Sequence, residues 1–265
     1  MQPELSVELK STSKAFVSRD NKVVVAMEDV SLQARVGEFV AIVGPSGCGK
    51  STILNLLANI ITPTSGEVLV RGKPAAQAAS DIGYVFQQDT VLPWRKLTQN
   101  IELGLLLRRV PAADRRKRVA ELVKMTGLSG FEDSYPGELS GGMRKRAALA
   151  MALAYDPSLI LMDEPFGALD AQTRIGLHEE LMALSQGTNK TILFVTHDIT
   201  EAITLADRVV VMTARPARVK SEYVIDIARP RNISEVRFDP KFEELYKNIW
   251  DDLRPEVAAQ QAQER

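Results

Sequence analysis

Nine consecutive residues, GPSGCGKST at positions 44–52, have the composition and spacing of a loop that binds phosphate groups. Glycines permit positive φ angles and a close approach of the backbone, so successive N–H groups can surround an anion. Lys50 adds a positive charge for the β- and γ-phosphates of a nucleotide, and Ser51 supplies an oxygen ligand for Mg²⁺. We predict that this phosphate loop binds a nucleotide through Gly44, Pro45, Ser46, Gly47, Cys48, Gly49, Lys50, Ser51 and Thr52.

The segments on either side of the phosphate loop support this prediction. The apolar segment EFVAIVG leads into the loop and predicts a buried strand, and the amphipathic segment KSTILNLLANI follows it and predicts a helix. A strand, a glycine-rich loop and a helix in this order are the context that the motif requires. The alternative is a glycine-rich turn with an ordinary surface lysine.

Two carboxylates, Asp163 and Glu164, stand at the end of the apolar segment SLILMDEP. Open α/β sheets bind their ligands at the carboxyl ends of their strands. We expect Asp163 to orient the Mg²⁺ shell and Glu164 to act as the general base that activates the attacking water. The alternative is that both carboxylates only cap the next helix.

The chain has two histidines, and we assign them different roles. His197 follows the apolar segment TILFV, from which an imidazole can reach a γ-phosphate or position the water. A single histidine after a strand is usually structural, so its assignment as catalytic, beside Lys50 and Glu164, depends on the other motifs. His178, inside RIGLHEEL, is predicted to lie on an ordinary helix surface.

The segment ELSGGMRKRAALA offers a second anion site, because Ser140, Gly141 and Gly142 stand where a helix is predicted to begin. A helix start provides unpaired N–H groups, and the serine adds a hydroxyl. The simpler alternative is an ordinary N-cap. Since the phosphate loop already surrounds one side of the nucleotide, a second copy of the chain in a two-fold dimer is the simplest source of this second contact.

The order of the predicted elements defines an α/β fold. We predict an antiparallel β lobe at the N-terminus, a core of parallel strands with crossover helices, and a helical lobe inserted at about residues 92–155. Residues 1–235 are predicted to form the nucleotide-binding domain. Residues 236–265 are predicted to form an amphipathic helix followed by a polar, frayed tail.

Charge and composition limit the possible partners. The chain has 33 Lys and Arg against 34 Asp and Glu, a net charge of −1, so no overall field attracts nucleic acid. Neither a signal peptide nor an apolar run of roughly 18 residues is apparent, and we expect a soluble, cytosolic protein. The single cysteine, Cys48, excludes an intrachain disulfide.

Taken together, these motifs resemble the ATP-binding cassette family over almost the whole chain. The resemblance implies a RecA-like core, ATP and Mg²⁺ as cofactors, and LSGGM as the family signature, in which Met143 replaces the usual glutamine. It also implies that Phe16 stacks on adenine. Gln87 is implied to sense the γ-phosphate and the membrane partner and to be a ligand of the metal, together with Ser51 and Asp163. His197 resembles the switch histidine of the family, and Asp170, in GALD, a residue that communicates across the dimer.

Shorter segments, VLPWRKLTQNI, TARPARV and IARPRN, resemble the ATPases of nitrate, sulfonate and taurine importers. This resemblance implies an integral-membrane permease, an extracytoplasmic binding protein and a place at the cytoplasmic face of the membrane. We expect the segment around Leu92, Pro93 and Trp94 to dock the permease, although Trp94 packing between the lobes is the alternative.

Two other classes of protein stay open at this point. One is a cassette ATPase acting on DNA or ribosomes, for which Arg115, Arg116, Lys117 and Arg118 would be the basic patch. Such a cluster on an amphipathic helix is more often a solvated face, so we predict no nucleic-acid partner. The other class is a kinase for a small molecule, in which LSGG and His197 would have no role.

Overall fold

The computed structural model of the chain describes residues 4–18, 20–88, 90–167, 169–186, 188–233 and 235–263. The strands in these ranges form an antiparallel sheet and a mainly parallel sheet, and helices cover the parallel one. The α/β fold class predicted from the sequence is confirmed.

The antiparallel sheet has the strand order β2-β1-β4-β5. Along the second half of β2, Val30, Leu32 and Ala34 are buried and alternate with exposed polar residues. This alternation is expected for a sheet with one face on a core and the other in solvent. The strands are β1 (Leu5–Val17), β2 (Val23–Arg35), β4 (Ser65–Val70) and β5 (Lys73–Pro74).

The second sheet has the strand order β10-β9-β3-β8-β7-β6, and only the β9–β10 pair in it is antiparallel among the described strands. Every residue of β3, β7 and β8 is buried. Continuous apolar strands of this kind need cover on both faces. The strands are β3 (Phe39–Val43), β6 (Ile82–Val85), β7 (Leu159–Asp163), β8 (Thr191–Val195), β9 (Arg208–Met212) and β10 (Val219–Val224).

A hydrophobic core lies on each face of the parallel sheet. Phe39, Ala41 and Val43 of β3 belong to one core, and the alternate residues Val40 and Ile42 belong to the other. The first core is shared with the helical lobe, and the second with the antiparallel sheet and α1 (Lys50–Leu57). Because both cores meet at the same strands, the sheet is the rigid frame for the loops at its edges.

The inserted helical lobe consists of three helices that pack on one another, α3 (Leu97–Leu107), α4 (Ala112–Met125) and α5 (Gly141–Leu153). The remaining helices are α2 (Ala75–Ala78), α6 (Ala171–Gln186), α7 (Ile199–Leu205) and α8 (Pro240–Gln263). In the described part of the chain, none of the helices combines the length and apolarity that a membrane span requires.

The basic cluster of α4 is only partly the solvated face that the sequence predicted. Arg115 Nε donates to Glu102 Oε1 at 2.6 Å, and Arg118 donates to the last carbonyls of α5 at 3.0 and 3.2 Å. The prediction is therefore wrong for these two arginines, because they satisfy a carboxylate and unpaired helix-end carbonyls. Arg116 and Lys117 are exposed.

The polar C-terminal tail is also an incorrect prediction, since α8 continues to Gln263. Its last turns are anchored through polar side chains that the composition alone assigned to solvent. Glu256 Oε2 accepts the backbone N–H of Ala214 at 3.0 Å, and Gln260 Oε1 accepts that of Arg215 at 3.3 Å. These bonds hold the end of α8 against the loop between β9 and β10.

Candidate active site

Four neighbouring parallel strands end at the same edge of the sheet, and the loop after each one carries a predicted site residue. β3 leads to the phosphate loop and Lys50, β6 to Gln87, β7 to Glu164 and β8 to His197. The register pairs Ile42 of β3 with Val195 of β8, and Val195 with Asp163 of β7. Residues far apart in sequence are therefore brought together by strand pairing.

The phosphate loop adopts backbone conformations that require glycine. Gly47 has a φ of 72° and Gly49 a φ of 128°, and a Cβ on Gly49 would lie 2.8 Å from the Ala26 carbonyl oxygen. Lys50 is buried, and its Nζ donates to the carbonyls of Gly44 and Pro45 at 2.9 Å each. Besides the charge that the sequence assigned to the phosphates, the Lys50 ammonium group therefore bridges two carbonyls of the phosphate loop.

Ser51 and Asp163 form the predicted metal-binding pair. Ser51 Oγ donates to Asp163 Oδ1 at 3.0 Å. Burial raises the pKa of Asp163 above its ordinary value, and the hydrogen bond from Ser51 opposes this shift. A hydroxyl and a carboxylate are hard oxygen donors, which suit Mg²⁺ held partly by a nucleotide. Gln87, the third predicted metal ligand, donates from Nε2 to Glu164 Oε2 at 3.3 Å, so its amide oxygen is the atom that could bind a metal.

Glu164 is the meeting point of the site. Its Oε2 lies 3.3 Å from Gln87 Nε2 and 3.2 Å from His197 Nδ1, whereas its Oε1 lies 4.0 Å from Lys50 Nζ. The Glu164 backbone has a φ of 43°, a conformation that is uncommon outside glycine and concentrated at functional sites. Its N–H donates to the Val195 carbonyl at 2.9 Å, which extends the β7–β8 pairing by one residue.

A cavity of about 480 Å³ lies beside this cluster and includes the predicted aromatic residue. Phe16, on β1, is 40% exposed, and Lys14 Nζ lies 5.1 Å from the centre of its ring. A flat side chain at the cavity wall can stack on a nucleotide base. The cavity is lined by Phe16, Val24, Ala26, Ser46, Gly47, Gly49, Lys50, Ser51, Thr52, Gln87, Glu164 and Arg215.

The Ser140 turn (residues 140–142) and Asp170 are not among the residues that line this cavity. Ser140 Oγ accepts the Met143 N–H at 3.3 Å, so it is an N-cap, and the serine is exposed. Thr173 binds both oxygens of Asp170, at 3.0 and 2.7 Å, and these bonds lower the pKa of Asp170. A Cβ on Gly142 would lie 2.4 Å from Thr173 Cγ2. The Ser140 turn and Asp170 are thus neighbours within one chain.

A buried lysine that sequence reasoning did not select connects the helical lobe to Gln87. Lys145, on α5, donates from Nζ to the Gln87 carbonyl at 2.6 Å. Its position three residues before Ala148 and seven before Ala152 places it on the buried face of the helix. That spacing was the available indication, but the neighbouring basic residues concealed it.

A second missed group lies below His197. Thr196 Oγ1 donates to Glu201 Oε2 at 2.7 Å, and Glu201 Oε1 lies 3.5 Å from His178 Nε2 and 3.8 Å from Arg174 Nε. His178 is 5% exposed and packs edge-on against Phe166, so its prediction as helix surface is wrong. His178 directly follows Leu177, which is also buried, so both residues lie on the inner side of α6.

Comparison with known proteins gives consistent matches. A family model described as ABC transporter matches residues 27–167. The chain is 44% identical to the uncharacterized ABC transporter ATP-binding protein MJ0412 of Methanocaldococcus jannaschii, over 96% of this chain and 93% of that protein. It is 39% identical to the taurine import ATP-binding protein TauB of Roseobacter denitrificans, over 92% and 94%. The nitrate import ATP-binding protein NrtC of Synechococcus elongatus is 42% identical over 89% of this chain and 36% of its own length.

Solved structures resemble the fold as well. A dimeric structure of the bacterial ABC transporter cassette MJ0796 has a TM-score of 0.76 and 34% identity, covering 84% of this chain and all of that one. A second dimeric structure of the same cassette, with the same TM-score, is a post-hydrolysis state bound to ADP and phosphate.

The network below His197 predicts the effect of Glu201→Ala on stability. The substitution leaves the buried Thr196 hydroxyl without its acceptor and removes the carboxylate that lies 3.5 Å from His178 Nε2. We expect the free energy of unfolding to fall by about 1–3 kcal/mol, measured by urea denaturation. Glu179→Ala, an exposed residue on α6, is the control and should change it by less than about 0.5 kcal/mol. Equal free energies of unfolding for the two variants would show that Glu201 does not stabilise the fold in this way.

Proposed function

Because the chain belongs to the ABC transporter family of ATPases, we propose that it is the ATP-hydrolysing subunit of an importer that takes up a small anion through a separate permease. The observation that carries the proposal is the convergence of Lys50, Gln87 and His197 on Glu164 beside a nucleotide-sized cavity. These groups come from four different loops, and in-line phosphoryl transfer uses a cation, a sensor and a base in this arrangement.

In this proposal the cavity holds ATP with adenine on Phe16 and the β- and γ-phosphates in the phosphate loop. The phosphate loop and the start of α1 would face the phosphates, and Lys50 would supply the positive charge. Ser51, Asp163 and Gln87 would hold Mg²⁺, which neutralises charge on the phosphate oxygens. The Ser51–Asp163 hydrogen bond supports this assignment, because it already places two oxygen donors together.

Glu164 is proposed as the general base. Since Oε2 is within hydrogen-bond distance of Gln87 and His197, Oε1 is the oxygen on the Lys50 side. A water between Oε1 and the γ-phosphate would pass its proton to that oxygen during attack. His197 and Gln87 then act on the same carboxylate and fix its orientation, and both can also contact the γ-phosphate.

The Ser140 turn and Asp170 are proposed to complete the site of a second copy of the chain. Both are exposed, both lie outside the cavity of their own chain, and Thr173 holds them on one surface. A two-fold dimer would present each turn to the partner's nucleotide and form two equal sites. The dimeric cassette with 34% identity supports this arrangement.

The proposed cargo is a small organic or inorganic anion of the taurine, sulfonate or nitrate kind, because relatives at about 40% identity are named for taurine and nitrate import. The proposed partners are an integral-membrane permease and an extracytoplasmic binding protein, with this subunit at the cytoplasmic face.

Trp94 is 72% exposed, which favours docking to the permease over packing between the lobes. Arg115 binds Glu102 and Arg118 binds the Leu153 carbonyl, so the basic cluster of α4 does not support a nucleic-acid partner.

Lys50→Ala should reduce ATP hydrolysis by about 10²–10³-fold, because it removes the cation nearest the transferred phosphoryl group. The measurement is phosphate release by the purified chain with Mg²⁺ and saturating ATP. Lys117→Ala, an exposed lysine on α4, should keep full activity. Circular dichroism must accompany the assay, because Lys50 also holds two loop carbonyls. A folded variant with unchanged turnover would exclude the phosphate loop as the site.

Trp94→Ala should weaken binding to the permease of the same transport system by about 2 kcal/mol, since a large exposed aromatic is a common hot spot. The affinity is measured with detergent-purified permease. Trp250→Ala, the other tryptophan of the chain and 41% exposed on α8, is the matched control and should bind normally. Lower thermal stability of Trp94→Ala with intact permease binding would contradict the docking role.

Glu164→Gln should trap an ATP-bound dimer, because it keeps the shape of the base but loses its proton affinity. Losing a general base slows hydrolysis by about 10²–10⁴-fold, whereas ATP contacts across the interface persist. Light scattering should show a dimer with ATP and a monomer with ADP.

Adding Ser140→Arg to Glu164→Gln tests the source of the second phosphate contact. The bulky side chain fills the Ser140 turn, so the double variant should remain a monomer with ATP bound. If the double variant dimerises as well as Glu164→Gln, the Ser140 turn is an N-cap and nothing more.

A further inference from the structure

The loop between β9 and β10, residues 213–218, lies directly beside the phosphate loop. Ala217 donates its N–H to the Ala26 carbonyl at 3.0 Å and accepts the Glu28 N–H at 3.0 Å, so the loop is joined to β2. A Cβ on Gly49 would lie 3.3 Å from Ala217 Cβ. The segment TARPARV, which includes this loop, carries part of the resemblance to importer ATPases, and no residue of it has a role in the proposed function.

Arg215 connects this loop to the phosphate loop itself. Its Nη2 donates to the Gly47 carbonyl oxygen at 2.6 Å, and Arg215 lines the same cavity as Lys50 and Phe16. Gly47 has a φ of 72°, and glycine has more backbone freedom than any other residue. A charge-assisted hydrogen bond is short and strong, so it restricts the Gly47 peptide group to one orientation.

Arg215 is itself held by α8. Its backbone N–H donates to Gln260 Oε1, and the preceding N–H, of Ala214, donates to Glu256 Oε2. Glu256 also pairs with Lys220 of β10 at 2.8 Å, and Gln260 is 7% exposed. The last turns of α8 therefore fix the backbone from which the Arg215 side chain reaches the phosphate loop.

We propose that Arg215 is a positioning residue for nucleotide binding, which orders the Gly47 peptide and adds positive charge at the rim of the cavity, and that α8 sets its position. This inference rests on the proposed binding of the nucleotide β-phosphate by residues 44–52. An unrestrained glycine loop must lose backbone freedom when it closes on a phosphate, and Arg215 removes part of that cost in advance.

The location of the Arg215 contact determines which nucleotides depend on it. In the proposed site, residues 44–52 surround the β-phosphate, so a nucleotide without a β-phosphate gains less from the order of Gly47. A hydrogen bond to a charged group typically contributes enough for about a tenfold change in an equilibrium constant. Arg215→Ala should therefore weaken the binding of ADP by about tenfold and that of AMP by clearly less.

The test is isothermal titration of the full chain with ADP and with AMP in the presence of Mg²⁺, where no hydrolysis occurs. The variants are Arg215→Ala, Arg215→Lys and Gln260→Ala. Arg218→Ala is the matched control, because Arg218 lies on the same loop but donates to Glu28 Oε2 at 2.7 Å. Lys50→Ala reports on the phosphate loop independently.

We expect Arg215→Ala to lose ADP affinity selectively, Arg215→Lys to recover part of it through its retained charge, and Gln260→Ala to show a smaller loss of the same kind. The Arg218→Ala control should bind both nucleotides normally. Unchanged ADP affinity in Arg215→Ala, with a strong loss in Lys50→Ala, would overturn this inference alone. Equal losses for ADP and AMP would overturn it as well, because they indicate a general structural effect. Normal ADP affinity in Lys50→Ala would overturn the proposed site and this inference together.

Discussion

The parallel pairing of β3, β8, β7 and β6 is the constraint on which the rest of the molecule depends. Parallel strands place their carboxyl ends at one edge, and here each of these four strands leads to a residue of the candidate site. The strands are buried on both faces, so the edge cannot shift without disturbing two cores. The helical lobe and the antiparallel sheet attach to this frame, and their contributions, the Ser140 turn and Phe16, are positioned relative to it.

Electrostatics at this edge are organised around Glu164. The Glu164 side chain is 17% exposed. Its Oε1 faces the Lys50 ammonium group, and its Oε2 faces the Gln87 amide and the His197 imidazole. In its proposed role as general base, holding one oxygen in this way would give the other a fixed direction, which limits the reorganisation needed when water attacks. Glu164 directly follows β7, and its positive φ turns the side chain toward Lys50, Gln87 and His197.

The parts of the site that the sequence predicted are those with local patterns. The phosphate loop is nine consecutive residues, and Glu164 directly follows an apolar strand, so composition and order are sufficient to find them. Lys145 and Arg215 donate to carbonyls of segments that are distant in sequence, and such bonds have no motif. His178 was misassigned because a polar residue on an amphipathic helix is assumed to face solvent, whereas this imidazole is buried 3.5 Å from the Glu201 carboxylate. The end of α8 was misassigned on the same assumption.

Gln87 is bonded both to the helical lobe and to Glu164 at the strand ends. Its carbonyl accepts Lys145 of α5, and its side chain donates to Glu164, so one residue is bonded to both parts. Trp94 lies seven residues further along the same connection, on the exposed surface. Because Gln87 and His197 contact the same oxygen of Glu164, these two side chains together set the orientation of the carboxylate at the end of β7.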